Sequence, residues 1–344
     1  MNVLARALAV TLACAGCSGA TLPGDYDLAQ SRERARDDEG ALALYQKAAA
    51  DCARGVERPH DDCALALVRS AQLLDKLHRF AEAYRTWLEV PKHTSEPLKA
   101  ARALQKAAVL ATDELHDDAA AEKLAWACVE RFPDEVPADD ALDLAIRLGK
   151  RRDPSELALK LQSFFPAVER RELGDNVMYA IAELHRESGD GPGAVELYDR
   201  LAEKYPHSPL RDDSWWHAAE VLRAAGDAQG ALRRLRRLLE TRRDAIITGS
   251  YNSLYLDDAE MLMGHIYLDD LHDPAHACEA FQTLADDFKE SILRDDALVE
   301  LARAQLALDD KRAACKSLAR LIRQYPNSNK LRQARALSAE LACN

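Results

Sequence analysis

Gly193-Ala194-Val195-Glu196-Leu197-Tyr198 running on to Tyr205-Pro206-His207-Ser208, and Arg312-Ala313-Ala314-Cys315-Lys316-Ser317-Leu318 running on to Tyr325-Pro326-Asn327-Ser328, are one layout written twice. In each, a small residue (Ala194, Ala314) is followed four positions later by a large one (Tyr198, Leu318) and seven later by Leu201 or Leu321. Tyr-Pro then arrives at positions eleven and twelve. Spacings of four and seven place side chains on one face of an α-helix. The layout recurs at Ala231, Leu235 and Leu238, at Ala277, Phe281, Leu284 and Phe288, and at Ala121, Cys128 and Phe132-Pro133. Weaker copies stand at Ala41, Tyr45 and Ala48 and at Ala83, Trp87 and Val90. A degenerate copy near residue 154 ends in Phe165-Pro166.

Anchored on the small residue, the copies begin at 41, 83, 121, about 154, 194, 231, 277 and 314, so the steps range from 33 to 46 residues. Steps of this size predict eight pairs of antiparallel helices joined by loops of varying length. A lone pair cannot bury its apolar face, so stacking of neighbours supplies the core. Lys330 to Ala342 reads as a final, more polar helix that solvates the end of the array, and Arg242 to Asp257 as a longer loop carrying Ile246, Ile247, Tyr251 and Tyr255 around Gly249.

Composition agrees. Hydrophobic residues make up 48% of the 344, aromatics only 6% and charged residues 30%, and the abundant Ala and Leu are strong helix formers. The formal net charge of −12 repels a phosphate backbone, which argues against nucleic acid as a partner.

The repeated layout resembles the tetratricopeptide repeat, whose first helix carries Trp, Leu, Gly and Tyr and whose second carries Ala, Phe and Ala before a Pro. Trp215, Ala219, Leu222 and Ala231 fall on the Trp, Gly, Tyr and second-helix Ala positions, and Met263-Gly264 with Tyr267 on the Leu-Gly-Tyr positions. Ser188-Gly189-Asp190 and Ala225-Gly226-Asp227 fit the turn between helices, where Gly takes a left-handed conformation. The ending Tyr-Pro-x-Ser is similar to that of periplasmic tetratricopeptide lipoproteins, among them outer-membrane assembly and cell-division coordinator lipoproteins. The resemblance implies an all-α fold, a right-handed superhelical solenoid of about eight helix pairs with a C-terminal capping helix. Degenerate repeats are expected over 38–170 and regular ones with the cap over 171–344.

The resemblance also implies a concave groove lined by first-helix residues. Carried over, it selects Tyr179, Glu183 and Arg186, then Trp216, Glu220 and Arg223, then Met261 and His265. Trp216 follows the packing position Trp215 and points about 100° away from it, so it is either exposed as an anchor for a bound peptide or covered by the adjoining repeat.

At the start of the chain, Arg6 precedes an apolar run from Ala7 to Ala15, the pattern of a secretory signal and too short to span a bilayer. Cys14-Ala15-Gly16-Cys17-Ser18-Gly19 resembles the lipobox of bacterial lipoproteins, which implies a signal over 1–16 and acylation of Cys17. Cys14 stands where Leu is usual in that motif; cleavage before Cys14 and a plain secreted protein are the alternatives. Residues 17–37 read as a flexible tether, and Ser18 after the acylated cysteine implies sorting to the outer membrane. A periplasm-facing chain sits in an oxidising compartment. There Cys52 with Cys63, flanking Gly55 and Pro59, and Cys315 with Cys343, on successive helices, are the candidate disulfides.

Catalytic and metal signatures are missing from the sequence. His272 and His276 are separated by Asp273-Pro274, so they sit in a turn without a third ligand. The pairs Asp117-Asp118, Asp139-Asp140, Asp212-Asp213, Asp257-Asp258 and Asp295-Asp296 are expected at starts of first helices, where negative charge opposes the helix dipole. No glycine-rich phosphate loop, H-E-x-x-H or G-x-S-x-G occurs. The sequence thus points to a non-catalytic scaffold that binds envelope proteins, without cofactor or metal. A helical-repeat protein handling peptidoglycan or another carbohydrate is the alternative.

Overall fold

The computed structural model describes residues 24–54, 62–248 and 253–343. The expected signal, Cys17 and the start of the tether lie outside the described residues. Among the described residues there are seventeen α-helices, with one short 3-10 turn, one π-helical turn and no strand. They are α1 (Asp25–Arg34), α2 (Asp38–Ala53), α3 (Cys63–Lys76), α4 (Phe80–Glu89), α5 (Pro97–Asp113), α6 (Asp118–Arg131), α7 (Val136–Arg152) and α8 (Pro154–Val168). There follow α9 (Gly174–Glu187), α10 (Gly191–Lys204), α11 (Leu210–Ala224), α12 (Ala228–Thr248), α13 (Leu256–His265), α14 (Pro274–Asp287), α15 (Arg294–Ala307), α16 (Lys311–Gln324) and α17 (Leu331–Glu340). Helices α1 to α6 pack on one another in chain order, as do α8 to α17. The even-numbered helices are the eight second helices read from the repeated layout, and α17 is the final one.

The repeated layout forms the core. Ala41, Tyr45 and Ala48, then Ala194, Tyr198 and Leu201, then Ala277, Phe281 and Leu284, then Ala314, Leu318 and Leu321 are all fully buried. Burying each large apolar side chain contributes roughly 1.5–3 kcal/mol relative to exposure, so the pattern that identifies the helices is also the main source of their stability.

The turn inside seven of the eight pairs is built the same way, the exception among the described residues being that between α7 and α8. Arg36, His78, His116, Gly189, Gly226, His272 and Asp309 all have positive φ, between 47° and 85° with the other positive-φ residues of the chain. In six of these seven turns the next residue is an Asp. Its side chain accepts the backbone N–H three residues on, as Asp37 does from Gly40 at 3.0 Å, Asp190 from Gly193 at 3.0 Å and Asp310 from Ala313 at 2.8 Å. A left-handed residue ends one helix and an Asp cap starts the next. Histidine tolerates this conformation better than most residues, which accounts for three of the ten histidines.

Several expectations are corrected. The tether is shorter than 17–37, because Asp25–Arg34 is helical. Tyr26 and Ala29 are buried against α2, and Asp25 pairs with Lys47 at 3.0 Å. The repeats therefore begin at α1 rather than at residue 38. The chain divides into two compact units between Leu148 and Gly149, inside α7. The expected loop from Arg242 is helical as far as Thr248, since α12 continues past the usual repeat length; the side chains of residues 242–252 lie outside the described ones. Pro166 falls inside α8, two residues before its end, where its missing N–H leaves the Gln162 carbonyl without its helical partner and the helix stops within the same turn. Asp117 caps α6, a second helix, whereas Asp212-Asp213, Asp257-Asp258 and Asp295-Asp296 do lie in first turns of first helices.

Two disulfides are present. Cys52 is bonded to Cys63, with Cα atoms 5.6 Å apart, and Cys315 to Cys343, with Cα atoms 5.4 Å apart. Cys343 lies just beyond α17, so the second bond fastens the end of the array to α16. Cys128 is buried, its thiol donating to the Ala101 carbonyl at 3.3 Å.

Candidate functional site

In the second unit, the first helices α9, α11, α13 and α15 each carry a stripe at spacings of three, four and seven. On α11 it reads Asp213, Trp216, His217 and Glu220. Such spacing gathers side chains on one helical face. The contacts confirm that the stripes adjoin. The Trp216 indole stacks on Tyr255, which precedes α13, with ring centroids 5.1 Å apart and planes 9° apart. His217 lies 6.3 Å from Tyr179, 6.0 Å from Tyr198 and 6.1 Å from Tyr255. Trp216 is half-buried, covered on one face by the next repeat.

The candidates drawn from the sequence divide by how far they are already engaged. Glu183 accepts from the Tyr198 hydroxyl and from Arg186 Nη2 at 2.6 Å. Burial opposes its charge, but Arg186 and Tyr198 outweigh burial and hold the carboxyl below its usual range. Tyr179 and Tyr198 are pushed well above the usual phenol range by burial and by Glu183. These residues form a closed network that shapes the face. Arg223 is likewise taken: its Nε donates to Asp270 at 2.7 Å. Asp270 belongs to a π-helical turn, Ile266–Asp270, that extends α13, and the adjacent Asp269 accepts from Arg303 of α15. The turn thus ties three successive repeats. Met261 packs against the core. His265 packs edge-on against Phe281 at 5.4 Å and contacts Asp269 at 3.3 Å. Glu220 stays on the rim, its side chain 46% exposed, held by His217 at 2.9 Å.

The acidic doublets divide their work. Ser291 Oγ donates to Asp257 at 2.7 Å, and Ser328 Oγ donates to Asp295, so in these two doublets the first Asp fastens the following repeat, whereas Asp212 is held by Arg211 and by Thr241 of α12. Each of these serines also accepts from a backbone N–H two residues on, Leu293 and Lys330 respectively. The second Asp faces the stripe. Burial raises the Asp213 carboxyl against the pull of His217, with Asp212 adding to the rise. Asp258 is raised by burial, by Asp257 and by Glu220. Asp213 and Asp258 also act on Tyr255, which burial pushes above its usual value. His217 was not named from the sequence; Tyr255 was read only as part of the longer loop, and Asp213 and Asp258 only as charges at helix starts. The available signal was Ser followed four and five residues later by Asp, as in Ser208…Asp212-Asp213, Ser253…Asp257-Asp258 and Ser291…Asp295-Asp296.

On the other side of the same repeats, Trp215 lines a cleft of about 510 Å³ with Asp199, Arg233, Arg234, Arg236 and Arg237. The Arg211 guanidinium lies 5.0 Å over the Trp215 ring, the packing role expected for that Trp. Among the described residues no group of three or more side chains is placed to hold a metal. His272 occupies a left-handed turn and His276 pairs with Asp273 at 2.6 Å. No helix among the described residues is long and apolar enough to cross a membrane.

A family model described as tetratricopeptide repeat matches residues 176–208 and 296–328. These stretches are α9 with α10 and α15 with α16. No curated protein matches the chain. Among solved structures, a signal transduction ATPase with a tetratricopeptide repeat sensor from Pyrococcus horikoshii is 14% identical, covering 92% of this chain and 48% of that one, with a TM-score of 0.50. The pilF protein of Pseudomonas aeruginosa is 13% identical over 69% of this chain and 99% of that one, with a TM-score of 0.43. The C-terminal part of a repeat-containing protein from Cytophaga hutchinsonii is 11% identical over 90% and 98%, with a TM-score of 0.44. At such identities the likeness is one of fold. The chain is an all-α helical-repeat protein that carries tetratricopeptide repeats.

Proposed function

We propose that this protein is a non-catalytic adaptor of the bacterial cell envelope that binds a peptide or helix of another envelope protein along the first-helix face of α9, α11 and α13. Tetratricopeptide repeats generally mediate protein–protein interaction. The observation that carries the assignment is the side-by-side placement of Trp216, Tyr255, His217 and Glu220 on one face, supported from beneath by the Glu183, Arg186 and Tyr198 network. Aromatic anchors beside charge are the usual centre of a peptide interface. Placement in the periplasm, with lipid on Cys17 and sorting to the outer membrane, is supported by Arg6, the apolar run from Ala7 and the Cys14-to-Cys17 segment. Two disulfides in the body suit an oxidising compartment.

Cross-linking in intact cells, followed by purification from membranes, tests the binding face. Trp216→Ala is expected to lose partners that the native chain captures, and an unchanged set refutes the assignment. Cys17→Ser tests the anchor separately, since it should release the protein from membranes into the soluble periplasmic fraction.

A further inference from the structure

We propose, building on that binding face, that its occupant is a basic segment whose lysine or arginine side chains seat against Asp213 and Asp258 beside the Trp216–Tyr255 stack. The chain itself supplies the precedent. In the third Ser…Asp-Asp repeat the second carboxylate, Asp296, is met by Lys330, with Nζ 2.7 Å from Oδ1. Lys330 stands two residues after Ser328. The residues at that register one and two repeats earlier are Leu293, two after Ser291, and Tyr255, two after Ser253. The position that answers Asp296 with an ammonium therefore offers a leucine after Asp258 and a phenol after Asp213. Among the described residues no lysine or arginine pairs with either carboxylate. Nearby cations are already committed, Arg186 to Glu183 and Arg223 to Asp270. The last repeat carries its own counter-ion, and the two before it leave that place to a partner.

The surroundings select the sign and spacing of the occupant. Glu220 adds a third carboxylate, held among the described residues by His217, and the chain as a whole carries −12, so an acidic segment is disfavoured at the face and during approach. The Trp216 and Tyr255 rings suit the aliphatic stem and charged head of lysine or arginine. Neighbouring packed helices lie roughly 8–10 Å apart, and seven residues of α-helix rise about 10 Å. Two cations seven residues apart on one face of a partner helix are therefore about one helix spacing apart, the separation the test peptides carry.

The test uses the full-length protein and three synthetic, fluorescein-labelled amphipathic peptides that are identical except for two positions seven residues apart, filled by Lys, Gln or Glu. Fluorescence polarisation should show the Lys peptide binding at least tenfold more tightly than the Gln peptide, with the Glu peptide weakest. Asp213→Asn with Asp258→Asn should shrink the Lys-over-Gln preference below threefold, while Arg233→Gln, in the cleft between α10 and α12, leaves it intact. Circular dichroism melts verify that the variants fold. Equal binding of the Lys and Gln peptides, a preference that survives the double substitution, or no binding of the Lys peptide overturns the cationic occupant. The face itself is judged independently: if all peptides bind alike but Trp216→Ala abolishes binding, the binding face stands and only the charge assignment falls.

Discussion

The Trp216 indole lies flat on the Tyr255 ring, with centroids 5.1 Å apart and planes inclined by 9°. The stack joins the sixth helix pair to the seventh and leaves the rest of the indole half-buried at the proposed binding face. Such an aromatic pair contributes about 1 kcal/mol beyond the area it buries. A double-mutant cycle of Trp216→Ala and Tyr255→Ala, followed by urea unfolding, should give a coupling energy of that size. A coupling near zero would mean that the two rings do not hold the repeats together.

Gly264 and Phe281 show how closely first and second helices approach. A Cβ built on Gly264 falls 2.3 Å from Phe281 Cε1, and the Phe281 side chain is fully buried, so the ring has nowhere to retreat. Gly264→Ala should therefore destabilise the chain by about 2 kcal/mol through overpacking, seen as a lower urea midpoint. Adding Phe281→Leu should recover part of that loss, because the clash is with the ring edge. Additive destabilisation by the two changes would place the strain elsewhere.

In seven of the eight pairs the second helix is legible in sequence because its small residue, and the residues four and seven positions later, all point into the core; α8 lacks the small residue and shows only its Phe165-Pro166 ending. Helix α1 is not: Asp25, Asp27, Arg32 and Arg34 give it the composition of a tether, and its core contact rests chiefly on Tyr26 and Ala29. The proposed binding face was half legible. Register alone finds Trp216 and Glu220, but it cannot reveal that Arg223 is spent on Asp270, because that pairing needs the π-helical turn at the end of α13. The doublets look equivalent in sequence, yet their two carboxylates diverge: Asp257 and Asp295 meet a serine from the following repeat, and Asp212 meets Arg211 and Thr241.

The two disulfides and the two remaining body cysteines should separate cleanly by chemistry. Non-reduced peptide mapping is expected to find Cys52 joined to Cys63 and Cys315 to Cys343. Cys128, buried and with its thiol pushed up to about 12 by burial, should resist alkylation until the chain unfolds. Cys315 and Cys343 are 28 residues apart, so the bond between them restricts the unfolded chain by about 3.6 kcal/mol in the loop-entropy account. Its effect should be local. In Cys343→Ser, hydrogen exchange should accelerate over α17 while α9 and α10 keep their protection. Unchanged exchange over α17 would show that packing alone secures the end of the array.

Asp213 and Asp258 predict an inverted pH dependence for part of the stability. Burial raises both carboxyls above their usual range. The folded state therefore holds these protons more tightly than the unfolded one, and ionising them costs stability as pH rises through the carboxylate range. Glu183 acts in the opposite sense: Arg186 and Tyr198 hold it low, so its contribution is present at neutral pH and lost as pH falls through its folded value. Replacing Asp213 and Asp258 together by Asn should leave the protein at least as stable as the native chain at pH 7, with the difference vanishing once the native carboxyls are protonated. Replacing Glu183 by Gln should destabilise at pH 7 and matter less in acid. Thermal melts of both variants across pH 3 to 8 decide the matter. A loss of stability at pH 7 in the double Asn variant would mean that these carboxylates already have partners within the fold, and would remove the vacancy that a basic segment is proposed to fill.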